Sequence, residues 1–148
     1  ALAPSINMQR AKGSTMNRQI FINLATKDLG EAMAFFVGLG FKLNPRFSNE
    51  NGCCVIIADN ISVMLLAESH FKNFTDKPIC DSTASAESLL CISCESRDEV
   101  DDFISKAKSL GANVSSEPQD HGFMYTHSFD DLDGHSWELM FMDQGANK

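Results

Sequence analysis

Tryptophan and tyrosine are nearly absent from this chain of 148 residues: there is one of each, and both fall between Pro118 and Asp143. Positive charge is scarce too, with 12 Lys and Arg against 20 Asp and Glu for a net charge of −8. Nucleic acid and anionic membrane surfaces need a positive field, so neither is expected as a partner. No run approaches the roughly 20 apolar residues of a membrane span. The opening ALAPSINMQRAKGST lacks the apolar core of a signal peptide. Cysteine is too sparse and too awkwardly placed for a disulfide framework, since five is an odd number and adjacent Cys53 and Cys54 cannot share one face of a strand. A reducing, cytoplasmic setting is expected. Cys91-Ile-Ser-Cys94 has the spacing of a redox CxxC, but within the strand-like SLLCISCES residues three apart point to opposite faces.

What is present is enough for one domain with a proper core. Residues 1–16 are set aside as a leader or tag, because Met16 directly precedes the first patterned segment. The rest, 17–143, reads as a single domain. RQIFINLA has the pattern of a strand, and KDLGEAMAFFVGLGF that of a helix with Asp28 as N-cap and Gly40 as stop. Its apolar residues Leu29, Ala32, Met33, Phe36 and Leu39 recur 71 positions later as Val100, Phe103, Ile104, Ala107 and Leu110, with Gly111 repeating Gly40. The chain therefore holds two copies of one unit. Module one spans about 18–68, a connecting segment 69–86, and module two about 87–143.

Each helix is followed by strand candidates: Phe41 to Phe47, Gly52 to Ala58 and Ile61 to Ala67 in the first copy, and Ala112 to Ser116, Phe123 to Phe129 and His135 to Met142 in the second. Asp133-Gly134 favours a tight hairpin turn. Along the last strand Trp137, Leu139 and Phe141 point one way and Glu138, Met140 and Met142 the other. The expected fold is α+β: two βαβββ modules forming a curved mixed sheet around a cup, with the helices on the outer face. The connecting segment carries His70, Phe71 and Phe74, an aromatic cluster suited to covering a pocket.

This module order, together with NLATKDL at Asn23 to Leu29, LGF at Leu39 to Phe41, EPQDHGFMY at Glu117 to Tyr125 and DLDGHSWELMFMD at Asp131 to Asp143, resembles the vicinal oxygen chelate superfamily. That superfamily includes glyoxalase I, bleomycin- and fosfomycin-resistance proteins and extradiol dioxygenases. The chain is similar to its short bacterial group labelled predicted lactoylglutathione lyases. In metal-dependent members, the resemblance implies, four ligands come from each module's first and last strands. Those positions fall here at about Phe21, Met64, Leu89 and Glu138, or at Asn23 and Cys91 if the first strands shift by two. Phe, Met and Leu do not make a hard-cation site, so no metal or other cofactor is expected, with a divalent metal as the alternative.

The expected function is the binding of a small organic molecule in the cup, by a chain that is also a candidate homodimer. The alternative is a metal-dependent lactoylglutathione lyase-type isomerase that removes a proton beside a carbonyl. Glu138, a carboxylate among methionines, and Tyr125 are the candidate catalytic residues, because desolvation can tune a Glu into a base. Asn23, Met64, His121, Phe123, Met140 and Phe71 are the candidate ligand-binding residues. Methionines and aromatics suit an amphipathic or cationic ligand.

Overall fold

The computed structural model describes residues 18–143, so the expected leader lies outside the described residues. Strand β1, Ile20–Thr26, leads into helix α1, Leu29–Gly38. The helix begins where the Asp28 carboxylate accepts a hydrogen bond from the Glu31 backbone N–H at 3.0 Å, and the chain leaves it through Gly40 at φ 108°. Strands β2 (Lys42–Asn49), β3 (Gly52–Ala58) and β4 (Ile61–Ala67) follow. A short helix α2, Glu68–Phe71, then runs into a single 3-10 turn, Lys72–Phe74. The second module repeats the plan with β5 (Leu89–Cys94), α3 (Arg97–Ser109), β6 (Gln119–Asp120), β7 (Met124–Asp130) and β8 (Ser136–Met142).

Both modules have one strand order, β1-β4-β3-β2 and β5-β8-β7-β6, with the first and last strands parallel and the other pairs antiparallel. The α+β architecture of two βαβββ modules is therefore present. Its hydrogen bonds divide the eight strands into two four-stranded sheets, and β1 and β5 each lie at an edge. One strand is misplaced in the sequence reading. Ala112 to Ser116 makes only an isolated bridge, Asn113 to Asp130, and the edge strand is instead Gln119–Asp120, just past Pro118, which has no N–H to give a ladder.

Each helix packs on its own sheet, α1 over β2, β3 and β4 and α3 over β5, β7 and β8. The two modules also share a core. Phe36 of α1 meets Trp137 of β8 with ring centroids 5.4 Å apart, Phe35 meets Phe129 at 6.0 Å, and Phe41 meets Phe103 at 5.6 Å. Alternation along the strands follows from this. Leu24, Val63, Leu65, Trp137 and Leu139 are buried under the helices, whereas Phe21, Asn23, Cys91 and Met142 on the opposite faces are exposed. All five cysteines are free, and Cys91 and Cys94 do face opposite ways, one exposed and one buried. No helix among the described residues is long and apolar enough to cross a membrane.

Candidate functional site

The inner faces carry two matched pairs. Asn23 on β1 lies beside Met64 on β4, and Cys91 on β5 beside Glu138 on β8. Phe21 and Leu89 lie one step further along, opposite Ser62 and Ser136. Half-buried Glu138 accepts a hydrogen bond at its Oε1 from the Cys91 thiol at 3.4 Å. Burial, and after it the hydrogen bond to Glu138 and that group's charge, pushes the Cys91 thiol up to about 11. Cys91 is therefore a protonated donor at neutral pH, and Glu138 the acceptor.

Three hollows surround these pairs. On the first sheet, α2 and its 3-10 turn place Phe71, Phe74 and Thr75 against Asn23 and Leu66 around about 270 Å³. On the second sheet Glu138 borders a small polar niche of about 80 Å³ with Thr126, Ser128 and Ser116. The largest, about 610 Å³, is an apolar cleft where the β3–β4 end of the first sheet faces the open edge of β5; Ile22, Ile61, Leu90, Cys91, Trp137 and Met140 line it. The hollow beside Asn23 shares no lining residue with the other two. One chain thus groups Asn23, Met64 and Phe71 on one sheet and Cys91, Glu138 and Met140 on the other, and does not gather all of them in one cup.

The remaining candidates sit elsewhere. Tyr125 pairs with Phe141 on the helix side of β7, the face opposite Glu138. Its hydroxyl donates to Asp101 Oδ1 at 2.7 Å, a bond that together with burial raises its pKa, and Arg97 stacks on its ring at 5.7 Å. His121 is exposed in the turn before β7, where its backbone N–H donates to the Met124 carbonyl at 2.8 Å. Phe123 is exposed beside it.

A cluster missed in the sequence reading lies at the β7–β8 turn. Donor atoms of Asp131, Asp133 and His135 fall within 4.8 Å of one another, close enough to suggest a cation site. Most of these donors are already engaged. Asp131 Oδ1 accepts from the backbone N–H groups of Asp133 and His135, both at 3.0 Å, and its Oδ2 from the Trp137 indole at 2.9 Å. Asp133 accepts from the Thr26 hydroxyl and the Lys27 N–H, and His135 Nε2 donates to the Ala25 carbonyl at 2.8 Å. Burial, the largest influence, raises the Asp131 carboxyl against the pull of these hydrogen bonds.

Residues 18–139 match the family model described as Glyoxalase/Bleomycin resistance protein/Dioxygenase superfamily. The chain belongs to that superfamily. Solved structures agree on the glyoxalase fold. A hypothetical protein of S. aureus is 27% identical with a TM-score of 0.73, covering 85% of this chain and 94% of its own. The fosfomycin resistance protein FosX of Listeria monocytogenes is 20% identical with a TM-score of 0.62, covering 86% of this chain and 92% of its own. A lactoylglutathione lyase of Agrobacterium tumefaciens is 17% identical with a TM-score of 0.62, covering 86% and 96%. No curated protein matches the chain in sequence.

At the inner-face positions where the resemblance places a superfamily metal, the donors are an amide, a thioether, a protonated thiol and one carboxylate. Only Glu138 is a hard anionic ligand, and the set does not fit a divalent ion held by oxygen and imidazole.

Proposed function

We propose that this glyoxalase-superfamily chain binds a small organic molecule on the inner face of its sheets, held by Glu138 and Cys91 with no divalent metal. The observation that carries this is the Cys91–Glu138 pair, whose carboxylate borders the polar niche of the inner face and whose thiol, with Met140, also lines the 610 Å³ apolar cleft. A hollow of that size suits a drug-sized ligand, with the apolar body entering the cleft past Cys91 and Met140 and a donor or cationic group at the neighbouring carboxylate. The thiol donor alongside gives the ligand an acceptor contact as well.

A second copy of the chain fits this reading. The outer edges of β1 and β5 carry no strand partner among the described residues, and apolar Phe21 and Leu89 on them are 46% and 76% exposed. A homodimer joined at these edges would cover them and bring Asn23 and Met64 of one copy towards Cys91 and Glu138 of the other. Free thiols at all five cysteines accord with a reducing cytoplasm. The lyase reading would use Glu138 as the base beside a carbonyl. It lacks a metal-binding set on that face, and the Asp131, Asp133 and His135 cluster is committed to the turn.

A thermal-shift screen of amphipathic amines against the wild type and Glu138→Gln tests the proposal. A binder should lose roughly tenfold to a hundredfold in affinity on the substitution, the value of a hydrogen bond to a charged group, while the melting temperature of the free protein barely moves. Unchanged binding with a large loss of stability would give Glu138 a structural role instead.

A further inference from the structure

Away from the inner faces, a further cavity of about 430 Å³ opens at the seam between the modules. Its walls are the end of β1 with Lys27, the α2 face with Glu68 and Lys72, the residues 78–82 of the connecting segment, and the β7–β8 turn. Hydrogen-bonding capacity in these walls is unevenly spent. Asp133 has both oxygens occupied, by the Thr26 hydroxyl and the Lys27 N–H, and Asp81 Oδ1 is held by the N–H and hydroxyl of Thr83. The donors are unspent. Neither Lys27 nor Lys72 makes an ion pair among the described residues. The backbone N–H groups of Ile79, Cys80, Asp81 and Ser82 meet no acceptor there. The Ser82 hydroxyl oxygen is buried behind that wall with no hydrogen-bond partner among the described residues, an arrangement native proteins rarely leave unfilled. On the acceptor side Glu68 alone among the lining carboxylates takes no hydrogen bond or ion pair.

We infer that this seam cavity is a binding site for a small zwitterion, with its oxyanion on Lys27, Lys72 and the Ser82 end of the connecting segment and its ammonium on Glu68. Two ammonium groups that form no ion pair among the described residues, one of them near the Asp81 charge, and the free loop amides call for a negatively charged oxygen. One uncommitted carboxylate on the α2 wall calls for a positive group on the same ligand. A bare metal ion does not suit the cavity, because both lysines would repel it. The site shares no lining residue with the cleft beside Glu138.

The test is an amide NMR titration of the whole chain with four probes: glycine, O-phosphoethanolamine, acetate and inorganic phosphate. Glycine or O-phosphoethanolamine should shift the Ile79 to Ser82 amides saturably, and the difference between them tells a carboxylate preference from a phosphate one. The double variant Lys27→Gln, Lys72→Gln should weaken that binding about tenfold or more. Glu68→Gln should weaken the zwitterions and leave acetate and phosphate unaffected or tighter. Spectral dispersion of each variant reports that it is folded. No saturable shift at those amides, shifts indifferent to the lysines, or simple anions binding as well as the zwitterions would each overturn the assignment. Substitution of Glu138 should leave all of these titrations unchanged.

Discussion

Thr26, at the end of the first module's opening strand, donates its hydroxyl to Asp133 Oδ2 in the second module's last turn at 2.6 Å. The other carboxylate oxygen takes the Lys27 N–H at 2.9 Å, and His135 Nε2 adds its bond to the Ala25 carbonyl. Gly134 lets the turn come this close, since a Cβ there would stand 2.8 Å from the Ser82 backbone. Three hydrogen bonds thus tie the modules together, two of them through one side chain.

Asp133→Ala removes the short bond of the Thr26 hydroxyl, on a residue only 1% exposed, and leaves it the Asp28 carbonyl at 3.2 Å. The expected loss is about 2–4 kcal/mol, for two bonds to a charged group, read by urea unfolding. A loss under about 0.5 kcal/mol, as for an ordinary surface change, would show that the seam is held by the aromatic core alone.

The single tryptophan reports on a buried acid, because the Trp137 indole donates to Asp131. Burial raises the folded-state pKa of Asp131 above its ordinary 3.8. A carboxyl raised in this way contributes stability that is full below its unfolded-state value and lost as pH rises through the folded-state value. Tryptophan fluorescence should therefore titrate with a midpoint above 3.8, and Asp131→Asn should abolish the step. A wild-type midpoint at or below the ordinary value would contradict the burial argument.

The open strand edges predict an oligomer. Light scattering should find a dimer at micromolar concentration, and the double change Phe21→Lys, Leu89→Lys should give a monomer with unaltered circular dichroism. A monomeric wild type would remove the second copy from the account.

The repeat was legible in the sequence because its signals are local: a 3.6-residue apolar stripe and a closing glycine, both met again 71 positions on. The split between Trp137 and Glu138 was legible for the same reason, as strand alternation needs only neighbours. The site was harder. Which residue stands beside Glu138 depends on how a parallel strand 47 positions away is registered, and a shift of two exchanges Leu89 for Cys91. Tyr125 could have been placed from the hairpin, since its pairing with Phe141 puts it on the helix side. Asp133 looked like a turn residue and nothing more, because its partner Thr26 is 107 positions away.

The central claim is that the inner face works through the Cys91–Glu138 pair without a divalent metal. The most direct check is calorimetric titration of zinc, nickel and manganese into metal-free protein, wild type and Glu138→Gln in parallel. The account predicts no stoichiometric binding that differs between the two proteins. One ion per chain bound tightly by the wild type and lost in Glu138→Gln would contradict it.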